Sequence, residues 1–179
     1  MKRFAIIAAL VLVTAAPALA DPTSDLEGAF VKLAAAKSYR VSTAMPSGPA
    51  MKIEIVNPGR SHSLMDGMEI IVIDNTTYTK MGGKWQKQTS PVAAGSGASM
   101  AQPYATPGPG STIRDLGMKT VAGASLHAYA VQKSASAPTG TIFVDGNGMV
   151  ARMEAPGPRG TIVMSFSDFN APISIVAPI

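Results

Sequence analysis

The chain has 179 residues, with 11 methionines, one tryptophan and no cysteine, and a formal net charge of +4. Without cysteine there is no disulfide framework, no thiolate chemistry and no lipid-attachment cysteine. The charges are interspersed and fall to +2 once Lys2 and Arg3 are removed, which leaves no basic footprint for nucleic acid or an anionic membrane.

Residues 1–20 read as a secretory signal peptide. Lys2 and Arg3 form the positive region, Phe4 to Val13 the apolar core, and Ala18-Leu19-Ala20 the small-residue cleavage site before Asp21. Cleavage near Ala20-Asp21 predicts a periplasmic protein. The rest, 21–179, has the length of one domain, and a monomer is expected.

Ser24-Asp25-Leu26-Glu27 has the S-x-x-E form of a capping box and predicts a helix from about Asp25 to Ala36. Leu26, Phe30 and Leu33, with Ala29 and Ala34, make one apolar stripe that can lie on a sheet, leaving Lys32 and Lys37 in water. Tyr39, Val41, Thr43 and Met45 alternate with polar or small residues, a first strand ended by Pro46-Ser47-Gly48-Pro49. From Met51 to Trp85 the alternation continues, interrupted by Asn57-Pro58-Gly59, Asp66-Gly67, Asp74-Asn75 and Gly82-Gly83. Those turn signals predict a meander of four short strands. Its run Ile70 to Ile73 is apolar on both faces, so that strand needs two covers, the helix on one side and something else on the other.

Residues 89–110 are uncharged and rich in glycine and proline, a long flexible loop with Val92, Met100 and Tyr104 as candidate lid contacts. Strands return over Thr112–Leu116, then a Gly117–Gly123 connection, then Ser125–Lys133, whose inward face is ambiguous between Leu126/Ala128/Ala130 and His127/Tyr129/Val131. Gly140–Val144 and Met149–Met153 flank the hairpin signal Asp145-Gly146-Asn147-Gly148, and Thr161–Phe169 follows Pro156 to Gly160. The spacing predicts an α+β fold: an antiparallel sheet of about nine or ten strands with one helix packed on it.

No catalytic constellation is visible. His62 and His127 sit in predicted strands and read as hydrogen-bonded structural residues, because a zinc site would lack ligands at the required spacing. Ser96 and Ser99 lack the flanking pattern of a nucleophile elbow. Gly146-Asn147-Gly148 joins two strands rather than a strand and a helix, so it is a turn and not a phosphate cradle. The methionines read as core or pocket lining rather than a copper(I) site, since they belong to strand patterns. No metal and no cofactor is expected.

The order of a capped helix, Ser38-Tyr39-Arg40-Val41, Asn57-Pro58-Gly59-Arg60, Ile71-Val72-Ile73-Asp74 to Tyr78 and Gly83-Lys84-Trp85 resembles the LolA/LolB-like lipoprotein-carrier superfamily and related mycobacterial lipid-binding lipoproteins. Phe166-Ser167-Asp168-Phe169-Asn170-Ala171-Pro172-Ile173 adds to the likeness. Asn57 stands where the carriers place an arginine before the turn proline. The resemblance implies an incomplete, strongly curved barrel enclosing an apolar cavity for acyl chains.

The expected function is therefore a non-enzymatic periplasmic binding protein or carrier for a lipid, acyl chain or other hydrophobic ligand. Met51, Ile53, Ile55, Ile70, Val72, Met149, Met153, Ile162, Met164 and Phe166 are the candidate lining residues, although the same residues could fill a closed core. The alternative is an envelope interaction or stress-sensor module, with envelope proteins or lipoproteins as partners.

Overall fold

The computed structural model describes residues 21–46, 48–89 and 110–179. Helix α1 (Pro22–Ala35) is followed by β1 (Ser38–Ala44), β2 (Met51–Val56), β3 (Arg60–Met65), β4 (Met68–Ile73), β5 (Thr76–Met81) and β6 (Lys84–Thr89). The second half contributes β7 (Thr112–Val121), β8 (Ala124–Gln132), β9 (Gly140–Val144), β10 (Val150–Gly157) and β11 (Gly160–Ser167). All pair antiparallel in one open, curved sheet of order β6-β5-β4-β3-β2-β1-β11-β10-β9-β8-β7. Two meanders thus meet at one seam, where Val41 lies opposite Phe166 and Thr43 opposite Met164.

Local chemistry sets these elements. Met65 pairs directly with Met68 because Asp66 and Gly67 both take positive φ, 36° and 80°, which a two-residue hairpin turn requires. α1 starts at Pro22, whose fixed φ suits a first helical position, and Asp21 caps it by accepting from the Thr23 N–H at 3.2 Å. At its other end, Asn57 Nδ2 donates to the Ala36 carbonyl at 2.7 Å and the Asn57 N–H to the Lys37 carbonyl at 2.8 Å. Asn57 therefore ties the helix exit to the β2–β3 turn.

α1 buries Leu26, Ala29, Phe30 and Leu33 against Tyr39, Val41, Ile53, Ile55, Tyr129, Ile142, Met153 and Phe166. This is the concave face. A second cluster lies on the convex face, where Ile173 and Ile175 of the C-terminal segment pack with Val56, Ile71, Ile73, Tyr78 and Trp85. That segment is pinned at the rim: Asn170 N–H donates to the Ser38 carbonyl at 2.8 Å, and Ser38 Oγ to the Ala171 carbonyl at 2.5 Å.

Several expectations need correction. Among the described residues the sheet has eleven strands rather than about nine or ten, and the 51–89 region carries five of them rather than four. The helix begins three residues earlier than expected, with Asp21 as cap in place of Ser24, and Ala34 is exposed. Thr112–Val121 is one strand rather than a strand and a connection. A bulge at Leu116, held by the Gly117 N–H on Asp115 Oδ1 at 2.7 Å, lets it continue. The second cover of β4 is the C-terminal segment, on the convex side, while the helix cluster does not reach β4 on the other. Both faces of β8 are buried, Tyr129 and Val131 toward α1 and Leu126 and Ala128 in a separate convex cluster. The lid candidates Val92, Met100 and Tyr104 lie outside the described residues.

Candidate functional site

The two faces of the sheet differ in chemistry. On the convex face an ion-pair ladder crosses the strands. Asp168 meets Arg40 at 3.2 Å, Arg40 meets Glu54 at 2.8 Å, and Glu54 meets His62 at 3.5 Å. His62 meets Glu69 at 3.0 Å, Glu69 meets Lys80 at 3.1 Å, and the Lys80 ammonium sits 5.4 Å from the centre of the Trp85 ring. The Lys80 hydrogen bond, aided by His62, holds the Glu69 carboxyl below the usual carboxylate range. His62 is thus a structural cross-link, as its sequence setting indicated.

The concave face is different. Register places Tyr39, Val41 and Thr43 of β1 beside Ile55, Ile53 and Met51 of β2, which lie beside Ser61, Ser63 and Met65 of β3. Next come Val72, Ile70 and Met68 of β4, then Thr77 and Thr79 of β5. On the other side of the seam, Phe166 and Met164 continue to Met153 and Ile142. Among the described residues, from β10 to β5 this face carries no charged side chain.

Nine of the ten candidate lining residues therefore share one face, Met149 of the β9–β10 turn packs against the same cluster, and the set divides by depth. Ile53, Ile55, Met153 and Phe166 are buried in the cluster sealed by α1, with Met51, Met149 and Met164 packed at its border. Ile70 and Val72 lie beyond that cluster, with Ser61, Ser63, Met65 and Met68 around them. Ile162 sits toward the rim near Met45 and Pro46, beside a cavity of about 250 Å³. Thr43, Met65 and Met68, which are not among the ten candidates, lie on the same face. The alternation at Tyr39, Val41 and Thr43 carried a signal for the first, but only pairing register places Met65 next to Met51.

Two buried hydroxyls on this face, Tyr39 OH and Thr43 Oγ1, have no hydrogen-bond partner. Burial pushes the Tyr39 phenol up to about 12. A separate cavity of about 560 Å³ lies between α1, β8 and the β9–β10 turn. There Tyr129 OH donates to Asp25 at 3.2 Å, Lys32 Nζ to the Asn147 carbonyl at 2.8 Å, and His127 pairs with Asp115 at 2.6 Å. The first two contacts clamp the helix to β8 and the β9–β10 turn, and the third ties β8 to β7. Burial first, then Asp25, pushes the Tyr129 phenol up to about 12. Among the described residues no group of three or more His, Asp or Glu side chains is placed to hold a metal ion, and no helix is long and apolar enough to cross a membrane.

Comparison by sequence finds no matching family model and no matching curated protein. Comparison by structure does find neighbours. The lipoprotein LppX of Mycobacterium tuberculosis superposes with a TM-score of 0.64 at 14% identity, covering 87% of this chain and 98% of that one. LprF from Mycobacterium bovis gives 0.63 at 14% identity, over 88% and 96%. The chain has the same fold as LppX and LprF. A third half-barrel, in the MucA/MucB complex of Pseudomonas aeruginosa, matches with a TM-score of 0.51 at 16% identity over 84% of this chain and 57% of that one. At these identities the likeness establishes the half-barrel architecture, and on its concave face the cluster built on α1 does not extend to β3–β5.

Proposed function

We propose that this half-barrel is a non-enzymatic periplasmic binding protein or carrier for a lipid, acyl chain or other hydrophobic ligand held on its concave face. One observation carries this reading: the uncharged concave surface continues past the helix-sealed core onto Met65 of β3 and Met68, Ile70 and Val72 of β4, while the ion-pair ladder of β1 to β5 stands on the opposite face. Met51, Met65, Met68, Ile70, Val72 and Met164 are the lining residues, and the driving force is burial of apolar area at roughly 25 cal/mol per Å². The resemblance to lipid-binding carriers supports the same assignment. Protein isolated from its native envelope and extracted into organic solvent should release a hydrophobic molecule detectable by mass spectrometry. An empty protein that also fails to bind a hydrophobic fluorophore would remove the assignment.

A second reading, an envelope interaction module, is favoured by the likeness to a half-barrel found in complex with MucA and by the two sheet edges, β6 and β7, that have no further strand among the described residues. Crosslinking in intact cells should then yield a defined protein partner through β6 or β7, with no ligand extracted.

A further inference from the structure

Methionines from strands far apart in sequence line up across the concave face. Met153 pairs with Met164, Met164 with Thr43, Thr43 with Met51, Met51 with Met65 and Met65 with Met68. Alternation along β5 adds Met81 at the far end, where it is 61% exposed. The row runs from fully buried Met153 through half-buried Met164, Met51, Met65 and Met68 to that open end. In its middle, Thr43 is only 6% exposed, and its hydroxyl has no hydrogen-bond partner. A buried hydroxyl without a partner is a standing cost that a bound acceptor would remove. Tyr39, the other unpartnered hydroxyl, is fully buried in the cluster that contains α1, so Thr43, paired with half-buried Met164 and Met51, is the one that stands in the methionine row.

On the basis of the carrier reading above, we propose that this row is the bed for an uncharged acyl ester, with the Thr43 hydroxyl donating to the ester carbonyl. Three features fit that ligand class. From β1 to β4 the row advances three strand spacings of ~4.8 Å, about 14 Å, close to the length of one acyl chain in half of a ~30 Å hydrocarbon layer. Unbranched, polarisable thioether side chains conform to a flexible chain better than to one fixed shape. The absence of charged side chains on this face among the described residues from β10 to β5 disfavours a free carboxylate, which would be buried without a counter-ion. An ester carbonyl needs only the single donor that Thr43 offers.

Competition against a bound hydrophobic fluorophore tests this with methyl palmitate, palmitate and hexadecane on the mature chain and on Thr43→Val and Thr43→Ser. Wild type should bind methyl palmitate more tightly than either palmitate or hexadecane. Thr43→Val should lose roughly 3- to 10-fold for the methyl ester, leave hexadecane unchanged, and melt no lower than wild type because it removes the unpartnered hydroxyl. Thr43→Ser should retain ester binding. If none of the three displaces the fluorophore, the carrier reading itself fails. If ester and hydrocarbon bind equally and Thr43→Val changes neither, or palmitate binds best, the ester site is overturned while the apolar hollow stands.

Discussion

Replacing Tyr39 by phenylalanine should leave the half-barrel as stable as before at neutral pH, or more so. In most cores the same change removes a satisfied hydrogen bond and destabilises. Here the ring is fully buried, 6.3 Å from Phe166 and 6.2 Å from Phe169 between ring centroids, and its hydroxyl has no partner. Phenylalanine keeps the ring packing and deletes a desolvated group, so the expected change is between zero and about 2 kcal/mol in favour of the variant. The pH dependence follows from the same burial. The folded-state phenol stands at about 12 against 10.0 for the unfolded chain, so both states are protonated below pH 10 and stability there is full. Above pH 10 only the unfolded chain ionises, and by pH 12 the wild type should lose roughly 2–3 kcal/mol through this residue alone. Tyr129 contributes a parallel loss, so Tyr39→Phe should shrink the alkaline decline without abolishing it. Urea denaturation followed by circular dichroism, at neutral pH and from about pH 10 to about pH 12, reads both effects. A variant less stable by more than about 1 kcal/mol at neutral pH, or an unchanged alkaline decline, would refute the unpartnered burial of this hydroxyl.

Ile175→Ala should cost about 2–4 kcal/mol, since Ile175 is only 4% exposed in the convex cluster. It should also red-shift the emission of Trp85, which packs in the same cluster; an unshifted spectrum with unchanged stability would show that the C-terminal segment does not dock there. Asp21→Ala should cost about 1 kcal/mol by removing the helix cap, whereas Ser24→Ala should stay within about 0.5 kcal/mol. Thermal melts of the two variants distinguish them, and a larger loss at Ser24 would restore the capping box as the helix start.

Most of the sheet was legible because hairpins are written locally. Asp66-Gly67, Asp74-Asn75 and Asp145 to Gly148 each fall between strands that pair across them, and the turn chemistry needs no knowledge of the rest of the chain. Strand β6 was harder to see because Lys84-Trp85-Gln86-Lys87-Gln88-Thr89 sits at an open edge and buries little on either face. β7 looked broken because Gly117 reads as a stop, and only the Asp115 side chain on its N–H shows that it is a bulge. The helix start was misplaced because two cap signals stand within four residues, and Pro22 decides for the earlier one. The site was half legible. Alternation put the candidate residues on one face, but sequence could not say where α1 would lie, so residues sealed under α1 and residues beyond it form one set in the sequence. The methionine row was hidden for a different reason: Met51, Met65, Met68, Met153 and Met164 have no common spacing along the chain, and only strand order aligns them.

The seam between β1 and β11 has a consequence for how the chain folds. Every other pairing in the sheet joins strands consecutive in sequence, so each meander can be assembled from hairpins, which form in about 1–10 µs. The β1–β11 contact, with Arg40 opposite Ser167, instead requires one loop closure over most of the chain, and it brings together the two strands that bear Val41 and Phe166. Docking of two preformed wings, rather than growth of any single strand, is then the slow event. Substitutions at Val41 or Phe166 will slow folding, and substitutions in β4, β5 or β8 will instead speed unfolding.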